Sequence, residues 1–141
     1  MDGKVALVTG AASGIGRCSA QAFAARGAAV LVCDVTDGRD ETVELITETG
    51  GTAVAVAMDV TDEGSVAAGI HVAVDRFGRL DYAHNNAGVA GTAALLHEWS
   101  TDIFEKVIRV NLIGTFICMK YELVQMRLVL HAAGIFNSCP A

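Results

Sequence analysis

The 141-residue sequence has little proline, few aromatic residues and few basic residues. Pro140 is the only proline, so no proline-rich linker divides the chain, and we expect a single folded domain. Phe, Trp and Tyr make up 6% of the residues, and ten Lys and Arg stand against sixteen Asp and Glu, for a net charge of −6. Because the basic residues are scattered singly, they form no positive face, and nucleic acid is not an expected partner.

Long apolar runs and metal-ligand patterns are also missing. Polar residues interrupt every apolar run well before the length of a membrane span, and the first residues do not resemble a signal peptide. We therefore expect no membrane partner and a cytoplasmic protein. Cys18, Cys33, Cys118 and Cys139 have no Cys-x-x-Cys or other ligand spacing, which predicts reduced thiols and no metal site.

What the sequence does contain is a regular alternation of two patterns. Short apolar runs typical of parallel strands covered on both faces lie at residues 5–8, 28–33, 53–58 and 80–83. Helical periods lie between these runs, and a fourth helix is predicted to begin near Ser100, whose hydroxyl can cap it, and to reach Met119. With right-handed crossovers, this order predicts an α/β fold, a Rossmann-like doubly wound parallel sheet.

A glycine-rich turn directly follows the first predicted strand and opens a helix. Gly10, Gly14 and Gly16 have G-x-x-x-G-x-G spacing. Backbone N–H groups at a helix N-terminus carry partial positive charge, and glycines without a Cβ let phosphate groups approach the backbone. The turn therefore predicts a pocket for the pyrophosphate of a dinucleotide. The alternative is a tight turn between strand and helix that binds nothing.

Two carboxylates follow strands at the edge of the sheet where ligands bind in such folds. Asp34, at the end of the second strand, could accept hydrogen bonds from both hydroxyls of the adenosine ribose and would repel a 2′-phosphate. NAD is therefore favoured over NADP, the alternative being that Asp34 is a solvated carboxylate. Asp59 and Val60 close the third strand and could contact the adenine, although Asp59 could instead cap the next helix.

Four motifs, in this order and at this spacing, resemble the short-chain dehydrogenase/reductase family. They are TGAASGIG at residues 9–16, Asp59-Val60, NNAG at residues 85–88 and Asn111 within VNL. The resemblance covers about residues 3–126. It implies an NAD(P)-binding Rossmann domain over residues 1–126, and hydride transfer between a nicotinamide and an alcohol or ketone.

The resemblance also implies roles for individual residues. It implies cofactor binding by Gly10, Ser13, Gly14, Ile15, Gly16, Asp34, Val35, Asp59, Val60, Asn86, Ala87 and Gly88. Asn86, Ala87 and Gly88 would steady the central sheet and line the nicotinamide-ribose pocket. Asn111 would be the remnant of the catalytic set, holding a water beside the catalytic lysine. Because Asn111 lies on a helix stripe expected to be buried, neighbouring backbone could satisfy it instead.

The family's catalytic serine and its Tyr-x-x-x-Lys pair have no match in the sequence. Tyr82 is followed four residues later by Asn86 and Tyr121 by Gln125, and residues 127–141 form a divergent tail. Without the phenol and ammonium that transfer a proton, the chain alone is expected to be inactive or nearly so. The alternatives are a non-catalytic truncated isoform that pairs with full-length subunits, and a chain without a stable fold.

The short sheet and the apolar fourth helix predict self-association. With strand order 3-2-1-4, and at most a stub of a fifth strand at residues 128–130, the fourth strand would lie at an open edge. In the family, the fourth helix builds the dimer interface. Here its apolar residues span more than one face; they are Phe104, Val107, Ile108, Leu112, Phe116 and Met119. The expected partners are thus NAD(H), a second copy of the chain, or a full-length relative.

Overall fold

The computed structural model describes residues 1–128 and 133–138, in which strands and helices alternate. The strands are β1 (Val5–Thr9), β2 (Ala29–Asp34), β3 (Thr52–Ala57), β4 (Tyr82–Asn85) and β5 (Gly134–Asn137). The α-helices are α1 (Gly14–Ala24), α2 (Gly38–Glu48), α3 (Glu63–Phe77), α4 (Thr101–Ile108) and α5 (Thr115–Met126). A 3₁₀ turn at Leu96–Glu98 precedes α4, and a π-helical segment at Arg109–Gly114 joins α4 to α5.

The strands form one parallel sheet in the order β3-β2-β1-β4-β5, which confirms the predicted doubly wound fold. β1 lies in the centre and pairs with β2 on one side, from Val5 beside Ala29 to Thr9 beside Cys33. On its other side β1 pairs with β4. Because all pairings are parallel, the carboxyl ends of the strands meet at one edge of the sheet, where ligands bind in folds of this kind.

The edge beside β4, predicted to be open, is covered by β5. This strand pairs in parallel with β4 along its whole length, from Gly134 beside Tyr82 to Asn137 beside Asn85. The N–H group of Ser138 continues the pairing by donating to the Asn85 carbonyl at 3.1 Å. The expected order 3-2-1-4 was therefore incomplete: β4 has neighbours on both sides, and β5 is the edge strand.

The strand of the tail also lies at a different place from the one predicted. Of the apolar run at residues 128–130, Leu128 follows α5 in a turn, and residues 129 and 130 lie outside the described residues. The strand forms instead around Ile135 and Phe136. Flanking Gly and Asn residues have low strand propensity, so the local sequence gives a weak signal and pairing with β4 decides the outcome.

Alternation along the strands sends apolar side chains to both faces of the sheet. On one face, Leu7 and Leu31 pack with Ile70 of α3 and Ile117 of α5. On the other face, a second cluster joins the sheet to α1 and α2; its buried members are Val8, Ala11, Ala20, Ala24, Val30, Val32 and Ile46. Two helix layers thus cover a sheet whose central strands are mainly apolar inside, as the short apolar runs predicted.

The fourth predicted helix exists, but it is longer and less buried than expected. Ser100 caps α4, since its Oγ accepts a hydrogen bond from the Ile103 N–H at 3.2 Å. Helical structure then continues through the π-helical segment to Met126, beyond the predicted end at Met119. No residue of α4 is buried, and Phe104 is 52% exposed. The expectation of a buried stripe ahead of Asn111 was therefore wrong.

In the described residues, no helix is both long enough and apolar enough to cross a membrane.

Candidate cofactor-binding site

The glycine-rich turn between β1 and α1 is tightly packed. Gly10 has a φ of +64°, and a Cβ placed on it would lie 2.9 Å from the Cα of Ala87. A Cβ on Gly16 would lie 2.1 Å from the Gly10 carbonyl oxygen and 2.6 Å from Nδ2 of Asn86. A Cβ on Gly14 would meet nothing, but the φ of +53° there also favours glycine. The three predicted glycines are thus required by two different constraints, close contact and backbone conformation.

Asn86 fastens this turn to the end of β4. Its Nδ2 donates to the carbonyls of Thr9 at 3.1 Å and Gly10 at 3.2 Å. The Thr9 hydroxyl in turn accepts from the N–H groups of Asn86 at 3.0 Å and Ala87 at 2.9 Å. The Asn86 amide therefore satisfies backbone carbonyls at the crowded strand end, as expected. Thr9, which is buried, was missing from the predicted site. Its position directly before the first glycine of the turn was the indication that the sequence offered.

The N-terminus of α1 is open at this turn. Ser13 occupies the N-cap position but makes no side-chain hydrogen bond to the helix, whereas Asp62 caps α3 and Ser100 caps α4 in this way. The first N–H groups of a helix lack partners within the helix and carry its positive partial charge. Ile15, in the first turn, is exposed. The predicted loop thus presents backbone donors rather than charged side chains.

Asp34 lies at the carboxyl end of β2, as predicted, and its carboxylate orients the neighbouring backbone. Oδ2 accepts from the Ala12 N–H at 3.0 Å, within the glycine-rich turn. Oδ1 accepts from the N–H of Thr36 at 2.9 Å and from its hydroxyl at 3.0 Å. Val35, between them, is exposed. Each carboxylate oxygen has two lone pairs, so Oδ1 is fully engaged by Thr36, whereas Oδ2 can accept one more hydrogen bond from a ligand hydroxyl.

Asp59 follows β3 but does not cap the next helix. Its Oδ1 accepts from the N–H and the hydroxyl of Thr61, both at 2.8 Å, which closes a local turn. The cap of α3 is Asp62, whose Oδ1 accepts from the Ser65 N–H at 2.7 Å. The capping alternative for Asp59 was therefore wrong, because the helix begins three residues later than such a cap would require.

One cleft of about 460 Å³ brings the strand ends together. The predicted residues that line it are Gly10, Asp34, Val35, Asp59, Val60, Ala87 and Gly88. Residues not predicted also line it, namely Met58, Thr61, Val89, Lys106, Arg109 and Val110. Of the basic pair, Arg109 is tethered by a 3.0 Å hydrogen bond from Nη2 to the Thr61 carbonyl. Lys106 belongs to α4 and Arg109 to the π-helical segment, so only the tertiary fold brings these two cations to the strand ends.

Asn111 does not line the cleft, although its neighbour Val110 does, and its side chain is satisfied by backbone. Its Oδ1 accepts from the Val89 N–H at 2.9 Å, and its Nδ2 donates to the Val89 carbonyl at 3.0 Å. The side chain is partly buried and fixes the segment after Gly88 to the π-helical segment. This geometry matches the second interpretation of Asn111, satisfaction by neighbouring backbone.

The tyrosines lie away from the cleft. The Tyr82 ring stacks on Phe23, with ring centroids 6.1 Å apart. The Tyr121 hydroxyl donates to Oε1 of Glu63 at 3.0 Å, an oxygen that also contacts Lys120. The hydrogen bond to Glu63 raises the pKa of Tyr121. The two tyrosines of the sequence therefore pack against other elements instead of facing Gly88 and Val89.

Ser138 lies just beyond the carboxyl end of β5. Its hydroxyl is 3.2 Å from Nε2 of His84 and 3.1 Å from Oδ1 of Asn86. Burial lowers the pKa of His84. Since the carboxamide oxygen can only accept, the hydroxyl donates to Asn86, and Ser138 links the new edge strand to the residue that holds the glycine-rich turn.

Comparison with known proteins agrees with this architecture. The family model for short chain dehydrogenases matches residues 4–135. Cis-4-hydroxycyclohexanecarboxylate dehydrogenase of Sinomonas cyclohexanicum is 45% identical over 123 residues, 87% of this chain and 49% of that protein. Momilactone A synthase of Oryza sativa subsp. japonica is 46% identical over 121 residues, 84% of this chain and 43% of that protein.

A solved structure shows the same arrangement of strands and helices. The short chain dehydrogenase/reductase of Burkholderia phymatum in complex with NAD has a TM-score of 0.91 and 34% identity. The alignment covers 96% of this chain and 48% of that one. The chain thus spans about half the length of the curated relatives it matches. Because the family model extends over nearly the whole sequence, including β4 and the start of β5, the chain belongs to the short chain dehydrogenase family of oxidoreductases.

Proposed function

We propose that this chain binds NAD(H) in the cleft at the carboxyl edge of the sheet. The observation that carries the proposal is the cradle between Gly10 and Gly16, where an added Cβ would overlap neighbouring backbone. Such a turn, beside the open N-terminus of α1, suits a pyrophosphate. Asp34 then suits the adenosine ribose, and Asp59 with Val60 suits the adenine, at the other strand ends of the same cleft.

The charges around Asp34 favour NAD over NADP. The carboxylate would repel a 2′-phosphate, and two arginines of the neighbouring helices, Arg17 of α1 and Arg39 of α2, already have acidic partners. Arg17 contacts Glu41 at 2.7 Å, and Arg39 contacts Asp37 at 3.0 Å. A 2′-phosphate is best held by an arginine fork, and either of these arginines would have to leave its acidic partner to hold one beside Asp34.

We also propose that the isolated chain transfers no proton to a substrate. When bound, NAD(H) supplies or accepts the hydride, and the protein must provide the acid or base. Among the described residues that line the cleft, Lys106 is present but no tyrosine is. Asn111 is engaged by Val89 on both sides of its amide. Cofactor binding without a positioned acid cannot raise the rate of the chemical step by itself.

A paired titration and turnover assay tests this function. We expect NADH fluorescence to report binding with a dissociation constant below about 1 mM, and NADPH to bind at least about tenfold more weakly. In the same preparation, we expect no turnover on a panel of secondary alcohols and ketones. No NADH binding at millimolar concentration would reject the proposed function, and rapid turnover by the chain alone would reject the proposed lack of proton transfer.

Two matched substitutions check the role of Asp34. Asp34→Asn removes the negative charge at the end of β2 and should narrow the difference in affinity between NADH and NADPH. Glu44→Gln, at an exposed position of α2, removes a carboxylate that does not line the cleft and should leave that difference unchanged. If both variants behave alike, general charge rather than the position of Asp34 sets the preference.

A second candidate function is association with other subunits. Apolar side chains along α4, the π-helical segment and α5 are exposed, including Phe104, Leu112, Phe116 and Leu123. A continuous exposed apolar surface on a soluble chain marks a site of association. This observation favours a second copy of the chain, or a full-length family member, as the partner of this helical surface.

We expect the purified chain to be larger than a monomer by light scattering at micromolar concentration. Phe116→Asp should shift it toward the monomer, because Phe116 is 63% exposed on this surface and a buried unpaired carboxylate is costly. Leu96→Asp is the matched control, since Leu96 is exposed in the 3₁₀ turn instead. A monomeric wild-type chain that also fails to co-purify with a co-expressed full-length relative would reject this candidate.

A further inference from the structure

A polar cluster of two buried side chains and the exposed Asn137 joins α5 to the last two strands, outside the cofactor cleft. Glu122 of α5 and Asn85 of β4 have 0% and 2% of their surface exposed. Asn85 Nδ2 donates to Oε2 of Glu122 at 3.1 Å and to Oδ1 of Asn137, in β5, at 3.2 Å. Three elements are therefore held together through the amide nitrogen of Asn85, which has two protons to donate.

The cluster leaves two acceptors unmatched. Asn85 Oδ1 and Glu122 Oε1 are the buried side-chain atoms without a hydrogen-bond partner in the part of the chain that the structure describes. Both are acceptors when Glu122 is ionised, and an unsatisfied buried acceptor is costly, more so when it is charged. The two atoms belong to the same two side chains that already share one hydrogen bond. A single proton on Glu122 Oε1 is the donor that both atoms lack.

The hydrogen bond from Asn85 is the one contact of the Glu122 carboxyl group, among the described residues, that stabilises a negative charge. On α5 itself Cys118 lies one turn earlier, and from β2 Cys33 faces the same region; the carboxyl group adds to the raised pKa of both thiols. β4 and β5 contribute only the amides of Asn85 and Asn137. Burial raises the pKa of Glu122 to about 7, against an opposing effect of the hydrogen bond from Asn85.

Charged groups near this region lie on other surfaces. From α3, Glu63 faces α5, but it is exposed and engaged by Lys120 and Tyr121. His84 precedes Asn85 in β4, and the alternation of side chains along a strand directs it to the opposite face, where it contacts Ser138. Since no cation contacts the Glu122 carboxyl group among the described residues, the proton is its only available counter-charge.

We propose that Glu122 is a neutral carboxylic acid in the folded protein, paired with the Asn85 carboxamide through two reciprocal hydrogen bonds, and that loss of its proton loosens β5. The first bond is the observed one from Asn85 Nδ2, and the second runs from Glu122 Oε1 to Asn85 Oδ1. Deprotonation would leave two acceptors facing each other. Asn85 also holds Asn137 and, through its carbonyl, the Ser138 N–H, so the strain falls on the edge strand.

The sign of the pH dependence follows from the raised pKa. In the unfolded chain Glu122 would titrate near its ordinary value of 4.5, and in the folded chain near 7. Between these values the folded state holds one more proton than the unfolded state. The stability contributed by this proton is therefore complete below the unfolded value and is lost as pH rises, by a factor approaching ten in the folding equilibrium for each pH unit. Above about 7 the loss levels off.

Glu122→Gln is the informative substitution, because a glutamine can make both hydrogen bonds at every pH. In urea unfolding, we expect the unfolding free energy of wild type to fall relative to that of E122Q as the pH rises from 5 to 7. Above pH 7 the difference between the two should be constant. Glu48→Gln, at an exposed position of α2, is the control. The difference in unfolding free energy between wild type and this variant should not change between pH 5 and 7. A difference between wild type and E122Q that is constant from pH 5 to 8 would overturn the proposal.

Two measurements keep the proposal testable even if E122Q does not fold. Infrared spectra of wild type at pH 6 should contain the carbonyl band of a protonated carboxyl group, since exposed carboxylates are ionised at that pH. The amide protons of Gly134 and Ser138 attach β5 to its neighbour. We expect the hydrogen-exchange rate of each, divided by the exchange rate of the Leu7 amide in β1, to be higher at pH 8 than at pH 6. Absence of the carboxyl band, or an unchanged relative exchange rate, would show that Glu122 is not the proposed acid.

Discussion

Gly16→Ala should abolish measurable NADH binding and lower the stability of the fold by about 3 kcal/mol, the upper part of the range for overpacking. The new Cβ would lie 2.1 Å from the Gly10 carbonyl oxygen, which no side-chain rotation can relieve because the Cβ position is set by the backbone. The first turn of α1 must then move away from β1. Urea unfolding and NADH titration of the same preparation measure the two effects.

Gly14→Ala is the matched control for this contact. Its Cβ would have open space around it, and only the φ of +53° opposes the change, at a cost of about 1 kcal/mol. Gly16→Ala should therefore be the more destabilising of the two. If the variants are equally stable, backbone conformation rather than the close approach of Gly10 and Gly16 explains the glycine pattern.

Asp81→Asn should cost about 3–5 kcal/mol of unfolding free energy, the range for removing one partner of a buried charged network. The Asp81 side chain is fully buried and accepts hydrogen bonds from Arg79 at 2.7 and 2.5 Å, from Lys4 at 3.1 Å and from the Val5 N–H at 3.0 Å. It joins the start of β1 to the start of β4. An asparagine has one acceptor oxygen for these donors and leaves two cations without their counter-charge.

The same substitution should alter the response to acid. Burial alone would raise the pKa of Asp81, but the hydrogen bonds from Arg79, Val5 and Lys4 outweigh it and hold this pKa below the ordinary value of 3.8. A lowered pKa contributes stability that is present above the unfolded value and is lost as pH falls through the folded value. At neutral pH we expect D81N to have a lower free energy of unfolding than wild type. As pH falls, D81N should not show the further loss of stability that protonation of Asp81 causes in wild type.

Asp37→Asn provides the comparison for Asp81. Asp37 pairs with Arg39 at 3.0 Å, but its side chain is 93% exposed, and exposed pairs often contribute nothing measurable. Urea unfolding should therefore separate the two variants clearly. Equal, small effects of both substitutions would mean that the network around Asp81 does not hold β1 to β4.

The sequence predicted well those features that depend on short stretches of chain. The apolar runs around Leu7 and Leu31 identified central strands, because parallel strands covered on both faces have no polar side to interrupt the run. The spacing of Gly10 and Gly16 identified the turn, because only a residue without a Cβ fits where the backbone of neighbouring residues comes this close. Ser100 was a correct helix cap for a similarly local reason.

Features that depend on distant partners were predicted incompletely. The strand at Gly134–Asn137 has weak local propensity and exists through pairing with β4. Lys106 and Arg109 reach the cleft only because the fold brings α4 and the π-helical segment beside the strand ends. Nothing in the spacing of the chain indicated that Glu122 would be buried against Asn85, since charged residues on helices usually face solvent.

By itself, then, the order of residues determined the alternation of strands and helices, the glycine turn and the acidic residue after β2, because periodicity and steric tolerance are local properties. The tertiary structure decided the edge of the sheet, the walls of the cleft and the setting of each buried carboxyl group. Those depend on which side chains meet across the fold, and the energy of a buried charge is set by the neighbours that folding brings to it.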